Sequence, residues 1–171
     1  QGRSNLEALA CVFSLEKVWA YDRNREVAET FATDMSAALD VQVEVVTEPR
    51  AAVVDADLVV TSGPILKAPT PVIDTDWLAP GAFASPVDFD SYWTGGALRQ
   101  ADKLATDDIA QFEHYREAGY FSDTPAPYAD LGQIVAGHQR GREREDERTI
   151  AINLGLALED MATAMPIYER A

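Results

Sequence analysis

The sequence has very few cysteines and histidines, the residues that form disulfides and bind transition metals such as zinc. Its 171 residues include one cysteine, Cys11, and two histidines, His114 and His138. One cysteine cannot form a disulfide within the chain, and these three residues lack the spacing of a metal-binding motif. We therefore expect no structural metal. Because Cys11 lies in a mostly apolar segment with helical periodicity, we expect its thiol to be buried and unreactive.

Long apolar runs and excess positive charge are also lacking. No apolar stretch reaches the roughly 18 residues of a membrane span, and no signal segment stands at the start, so we expect a cytoplasmic protein without a membrane partner. Lys and Arg number 14 against 29 Asp and Glu, which gives a net charge of −15. Such a chain repels a phosphate backbone, which argues against a nucleic-acid partner.

The densest group of basic residues is the segment 141–149, in which arginines alternate with acidic residues. Charge patterning of this kind is typical of a solvent-exposed loop whose charges pair with one another. The remainder of the chain has the composition of a globular domain, with 47% hydrophobic and 25% charged residues. Its length predicts one domain.

Apolar periodicity predicts helices alternating with strands along the whole chain. The predicted helices cover 3–13, 24–39, 49–56, 109–119, 127–137 and 155–170, and the predicted strands cover 17–21, 41–46, 57–64, 83–90, 103–106 and 149–153. We expect Pro166 to kink or end the last helix. Strands that alternate with helices at this spacing are parallel and joined by crossovers. The predicted fold class is therefore α/β.

The opening QGRSNLEAL and the strand end AYDRN contain part of a dinucleotide-binding pattern. Such folds hold pyrophosphate at a glycine turn before the first helix, and ribose at an acidic residue after the second strand. Gly2 alone is better explained as an ordinary glycine, but the helix, the strand and Asp22 together favour a cofactor site. Asp22 favours NAD because a carboxylate repels a 2′-phosphate, while Arg23 leaves NADP possible.

Polar residues follow two further predicted strands. Open α/β sheets bind ligands at the carboxyl ends of their strands, where Thr61 and Ser62 lie, although turn chemistry explains Ser62 equally well. Asp88 ends the FASPVD stretch at the same edge, where an acid could act as a base near a nicotinamide. Asp90 competes for that role, and either residue could instead be a capping or surface aspartate. The aromatic residues nearby, Tyr92 and Trp93, are interpreted as packing residues.

Six segments together resemble the ornithine cyclodeaminase/mu-crystallin family over essentially the whole chain. They are QGRSNLEAL, VWAYDR, DADLVVTSGP, DTDWLAPGAFASPVD, YADLGQIVAG and TIAINLGLALEDMATA. Within the family, EHYREAGYF and the ending look most like a subgroup described as tyramine oxidase subunits. The resemblance implies a doubly wound, mostly parallel Rossmann-like domain that binds NAD(P). It also implies hydride transfer at the α-carbon of an amino or imino acid.

The resemblance assigns roles to individual residues. The positions that match the family's cofactor site are the end of the glycine motif at Gln1 and Gly2, the ribose site at Asp22 and Arg23, the loop beneath the cofactor at Thr61 and Ser62, and a neighbour of the nicotinamide at Asn153. Asp88 matches the family's catalytic aspartate. The segment after it departs from the family, because the cyclodeaminases have a Pro-Gly-Lys turn where this chain has 89–93, which argues against ornithine as the substrate.

The resemblance also implies a particular domain organisation. Residues 1–153 are expected to form a cofactor domain that lacks its first strand, and 154–171 a helix that packs toward a missing N-terminal domain. That domain would hold the substrate carboxylate and form a homodimer. We expect the isolated chain to bind nucleotide poorly and not to complete a catalytic cycle. A non-catalytic, nucleotide-binding accessory subunit is the alternative.

Overall fold

A computed structural model describes residues 1–170, so Ala171, the end of the predicted C-terminal segment, lies outside the described residues. The described chain alternates between helices and strands as the sequence predicts. The helices are α1 (Gly2–Val12), α2 (Arg25–Leu39), α3 (Gly95–Arg99), α4 (Ile109–Glu117), α5 (Leu131–Val135) and α6 (Ala157–Arg170). The strands are β1 (Lys17–Ala20), β2 (Gln42–Val45), β3 (Leu58–Thr61), β4 (Phe83–Pro86), β5 (Lys103–Thr106), β6 (Ala129–Asp130) and β7 (Thr149–Ile152).

Helix α2 shows how local sequence sets the element boundaries. The side chain of Asn24 accepts a hydrogen bond from a backbone N–H of the first turn, which would otherwise have no partner. The helix ends at Asp40, whose φ of 51° is left-handed. Helical spacing places its buried residues on one face, and these are Ala28, Ala32 and Met35.

All strand pairs are parallel, but they form two sheets. β1 pairs with β2, and the other five strands run in the order β3-β4-β7-β5-β6. Residues of β1 and of β3 line one cleft of about 2390 Å³. That volume exceeds the roughly 300–1,000 Å³ of ordinary ligand pockets.

The hydrophobic core lies against the larger sheet and contains an aromatic cluster. The rings of Phe112 and Phe121 stack with centroids 4.3 Å apart, and Phe89 lies 5.0 Å from Phe121. Trp93 is also almost wholly buried. Aromatic pairs contribute about 0.5–1.5 kcal/mol beyond the burial of their area, so this cluster anchors the segment that follows β4. Helix α3, which continues that segment, is absent from the sequence-based prediction.

Several predicted elements are shorter than expected. The strand predicted at 83–90 ends at Pro86, and the helix predicted at 49–56 is only a short 3-10 helix at Pro49–Ala52. The segment 127–137 is divided between β6 and α5. Pro166 does not end α6, which continues to Arg170. Only the last turn follows this proline, so its missing N–H removes one hydrogen bond near the helix end.

The thiol of Cys11 is exposed, contrary to expectation. Leu6 is the buried residue of α1, and a position five residues further along a helix lies about 140° around its axis. Within residues 1–170, no group of three or more His, Cys, Asp or Glu side chains is arranged to hold a metal ion. Over the same range, no helix combines the length and apolar character needed to cross a bilayer.

The arginine-rich segment 141–149 is more than a solvent-exposed loop. Glu147 is only 2% exposed, and its carboxylate lies 3.8 Å from Lys103 Nζ and 3.2 Å from Arg144 Nη1. Arg148 donates from Nε to a backbone carbonyl outside the segment at 2.8 Å. The expected ion pairs within the segment are present. The buried carboxylate of Glu147 also connects the segment to β5 through Lys103.

Glu147→Gln is therefore expected to lower the free energy of unfolding by about 1–3 kcal/mol, because it neutralises a buried carboxylate that accepts a hydrogen bond from the Glu143 N–H at 2.8 Å and pairs with Arg144 and Lys103. Glu145→Gln is the matched control, since that side chain is exposed in the same loop, and it should change stability by less than about 0.5 kcal/mol. Urea unfolding of both variants measures the difference. Equal stabilities would show that the buried ion pair contributes nothing.

Candidate functional site

The carboxyl ends of β1 and β3 meet the start of α1 at one edge of the cleft. A methyl group placed on Gly2 would lie 3.3 Å from Ser62 Oγ, so the start of α1 sits beside the loop after β3. The side chain of Gln1, at the N-cap position, makes no hydrogen bond to the first turn of the helix. A helix start favours negative charge, because its first backbone N–H groups have no partner within the helix.

Asp22 and Arg23 follow β1 and line the same cleft. Asp22 Oδ1 accepts a hydrogen bond from the backbone N–H of Asn24 at 2.7 Å, which orients the carboxylate. Both side chains are exposed. Because one backbone hydrogen bond leaves carboxylate lone pairs free, Asp22 can accept hydrogen bonds from ligand hydroxyls.

Asp88 lies beneath the loop after β3 and binds it at two points. Thr61 Oγ1 donates to Asp88 Oδ1 at 2.7 Å, and the Gly63 N–H donates to Oδ2 at 2.8 Å. Trp93 Nε1 donates to Thr61 Oγ1 at 3.1 Å, so the single hydroxyl proton of Thr61 is free to point at the carboxylate. Asp88 is 0% exposed, and burial raises its pKa against the opposing effect of these hydrogen bonds.

Asp90 faces a different part of the molecule. It is 4% exposed, accepts a hydrogen bond from Thr124 Oγ1 at 3.1 Å, and lines a separate cavity of about 320 Å³. Burial raises the pKa of Asp90, and the neighbouring Asp123 adds to the effect. Of the two competing aspartates, Asp88 is the one that lines the cleft with the candidate nucleotide-binding residues.

The structure gathers most of the candidate residues at this cleft. Those that line it are Gln1, Gly2, Asp22, Arg23, Thr61, Ser62 and Asp88. Asn153 follows β7, one strand beyond β4, and is absent from the lining of the cleft. Its side-chain amide donates to Ser85 Oγ at 2.9 Å, so it joins neighbouring strand ends within the larger sheet.

Two residues near this edge have structural roles that the sequence analysis missed. Asp107 Oδ2 accepts hydrogen bonds from the N–H groups of Leu154 and Gly155 at 2.8 and 2.7 Å, which fixes the turn before α6. Ser91 Oγ accepts from the Leu66 N–H at 2.9 Å and secures the loop after β3. Asp107 could have been noticed in the sequence, because it directly follows the predicted strand β5 and the candidate site residues also follow strands.

Parallel strands joined by helices, with a helix start and an acidic strand end at one edge, define a Rossmann-like nucleotide-binding fold. The model of the ornithine cyclodeaminase/mu-crystallin family matches residues 1–171. The chain belongs to that family.

Similar proteins give the context of this fold. A Δ1-pyrroline-2-carboxylate reductase of Bacillus cereus is 31% identical over 100% of the chain and 54% of its own length. The structure of the Thermococcus litoralis Δ1-pyrroline-2-carboxylate reductase, in complex with NADH and L-proline, has a TM-score of 0.82 and 28% identity, with 100% of this chain and 55% of that one covered. An archaeal alanine dehydrogenase dimer with bound NAD has a TM-score of 0.77 and 25% identity, with 96% and 52% covered. The chain thus spans about half the length of the curated relatives it matches.

Proposed function

We propose that the full-length protein is an NAD(P)-dependent oxidoreductase that transfers hydride at the α-carbon of an amino or imino acid. The observation that carries this proposal is the common cleft of the α1 start, Asp22 and Asp88. The relatives named above, a pyrroline-2-carboxylate reductase and an alanine dehydrogenase, have substrates of this class. A cyclodeaminase-like reaction belongs to the same proposal.

The residues of the cleft fit a dinucleotide. The start of α1, a helix N-terminus, suits pyrophosphate, and Asp22 has carboxylate lone pairs for ribose hydroxyls. When bound, the nicotinamide would supply the hydride chemistry. NAD is the proposed cofactor because of Asp22, with NADP remaining possible through Arg23.

Asp88 is the proposed catalytic acid and base. Burial raises the pKa of its carboxyl, which brings a carboxylic acid closer to the pH at which it can both give and take a proton. In the direction of reduction, the protonated carboxyl would donate its proton to the substrate nitrogen as the α-carbon gains hydride. In the direction of oxidation, the carboxylate would take that proton back.

We propose that helix α6 packs against a further domain of the full-length protein. Its apolar side chains at spacings of three and four residues are strongly exposed: Leu158, Met161, Met165 and Tyr168. This spacing forms one apolar stripe, of the kind that a neighbouring element covers. A homodimer formed through that domain is part of the proposal, and so is a cytoplasmic location, with which a lone unpaired cysteine is consistent.

The test is a substrate panel with the full-length protein. NADH or NADPH is mixed with cyclic imino acids, or with 2-oxo acids and an amine, and the absorbance of the reduced nicotinamide is followed. We expect oxidation of the nucleotide with at least one member of the panel. Silence across the panel, together with measurable nucleotide binding, would instead support a non-catalytic accessory subunit.

A further inference from the structure

Tyr92 packs directly on Gly63, the residue whose N–H binds Asp88. A methyl group placed on Gly63 would lie 2.5 Å from Tyr92 Cε2 and 2.6 Å from its hydroxyl oxygen, so the ring is in contact with the Gly63 backbone. The N–H of the same residue donates to Asp88 Oδ2 at 2.8 Å. Gly63 is thus in contact with both the phenol ring and the buried carboxylate.

The backbone of Tyr92 is fixed, while its side chain is held by one hydrogen bond. Its carbonyl accepts hydrogen bonds from the N–H groups of Val72 and Ile73 at 2.8 and 2.9 Å. Its hydroxyl donates to the carbonyl of Pro64 at 3.0 Å, at a partly exposed position on the cleft. Rotation of the side chain would break that hydrogen bond, remove the ring from Gly63 and give up part of its packing against the core.

Tyr92 lines the same cleft as Asp22, Arg23 and Asp88. Burial raises the pKa of the phenol, the charges of Asp88 and Asp22 raise it further, and Arg23 opposes them. The phenol ring is thus part of the surface that a ligand bound in this cleft would contact.

We propose that Tyr92 is a positioning residue that covers Gly63 and controls the access of the substrate to Asp88. The inference rests on the proposed function, because only a catalytic role for Asp88 requires such access. In the observed arrangement the phenol is bound to Pro64 and Asp88 is fully buried. With the ring turned into the cleft, the Gly63 peptide can move and expose the carboxyl.

The first test is a ¹³C NMR titration of the Asp88 carboxyl in the full-length protein, which needs no turnover. In Tyr92→Ala, water should reach the carboxyl and lower its pKa toward the ordinary value, and Tyr92→Phe should give a smaller change in the same direction. The other charged groups that line this cleft near Tyr92, Asp22 and Arg23, remain in both variants. Tyr128→Phe, which loses a distant bond to Gln139, should leave the titration unchanged.

The second test is the pH profile of kcat/KM for whichever substrate the panel reveals. Tyr92→Phe should reduce kcat/KM about three- to tenfold through loss of one hydrogen bond, and the limb of the profile that reports Asp88 should move to lower pH. An unaltered Asp88 titration in both Tyr92 variants would overturn the inference even if the enzyme is active. A shifted Asp88 titration without any turnover would support the role of Tyr92 in covering Asp88 and would contradict the proposed function. If Tyr92→Ala does not fold, the Tyr92→Phe comparison decides.

Discussion

Asp88→Asn is expected to lower kcat of the full-length protein by about 10²–10⁴-fold, the usual contribution of a positioned acid or base. An amide cannot give or take the proton on the substrate nitrogen. Nucleotide affinity should change little by comparison, because Asp22 and the start of α1 lie elsewhere in the cleft. Steady-state kinetics, together with NADH titration, separates the two effects.

The control variants for this experiment lie on the same chain. Asp146→Asn changes an exposed carboxylate that pairs with Arg144, and it should leave kcat unchanged. Asp88→Asn also alters the hydrogen bonds to Thr61 and Gly63, so its fold must be verified by circular dichroism and thermal unfolding. Full activity in Asp88→Asn would contradict the assignment, and an inactive Asp90→Asn beside it would transfer the role to Asp90.

Asp22→Ala is expected to weaken NAD(H) binding about 10- to 100-fold, the equivalent of one or two hydrogen bonds to a charged group. NADP(H) should be affected much less or bind more tightly, because removal of the carboxylate removes its repulsion of a 2′-phosphate. The wild-type protein should accordingly prefer NAD(H). Fluorescence titration of the full-length protein with NADH and NADPH measures both affinities.

Arg23→Ala and Asp146→Ala complete the comparison. Arg23→Ala should weaken NADPH more than NADH, because a guanidinium is the available cation beside the ribose position. Asp146 pairs with Arg144 on the surface and does not line the cleft, so Asp146→Ala should leave both affinities unchanged. A wild-type preference for NADPH that Arg23→Ala abolishes would mean that Arg23, rather than Asp22, dominates the pocket.

The fold could be predicted from sequence because its signals are local. Strand β5 was predicted at its observed bounds, and the helices predicted at 24–39 and 109–119 contain α2 and α4 with ends within two residues of those observed. These signals depend on periodicity, capping and turn residues within short windows. The same local reasoning explains why a parallel α/β class could be inferred before the strand order was known.

Features that depend on tertiary contacts were not predictable. Glu147 belongs to a charged run, and its burial to 2% exposure depends on packing against residues far away in sequence, among them Lys103. The exposure of Cys11 depends on which face of α1 packs. The position of Asp88 and Asp90 after the strand did not separate them, and only the family resemblance singled out Asp88. In the structure Phe89, with a φ of 62°, lies between them and they line different cavities.

The most direct measurement of the central claim follows the hydride itself. The full-length protein is incubated with NADH carrying deuterium at nicotinamide C4 and with the imino acid that gives the fastest turnover, and the product is analysed by mass spectrometry and NMR. The account predicts one deuterium on the α-carbon of the amino acid product. Turnover that leaves the α-carbon unlabelled, from NADH deuterated on either face, would contradict it.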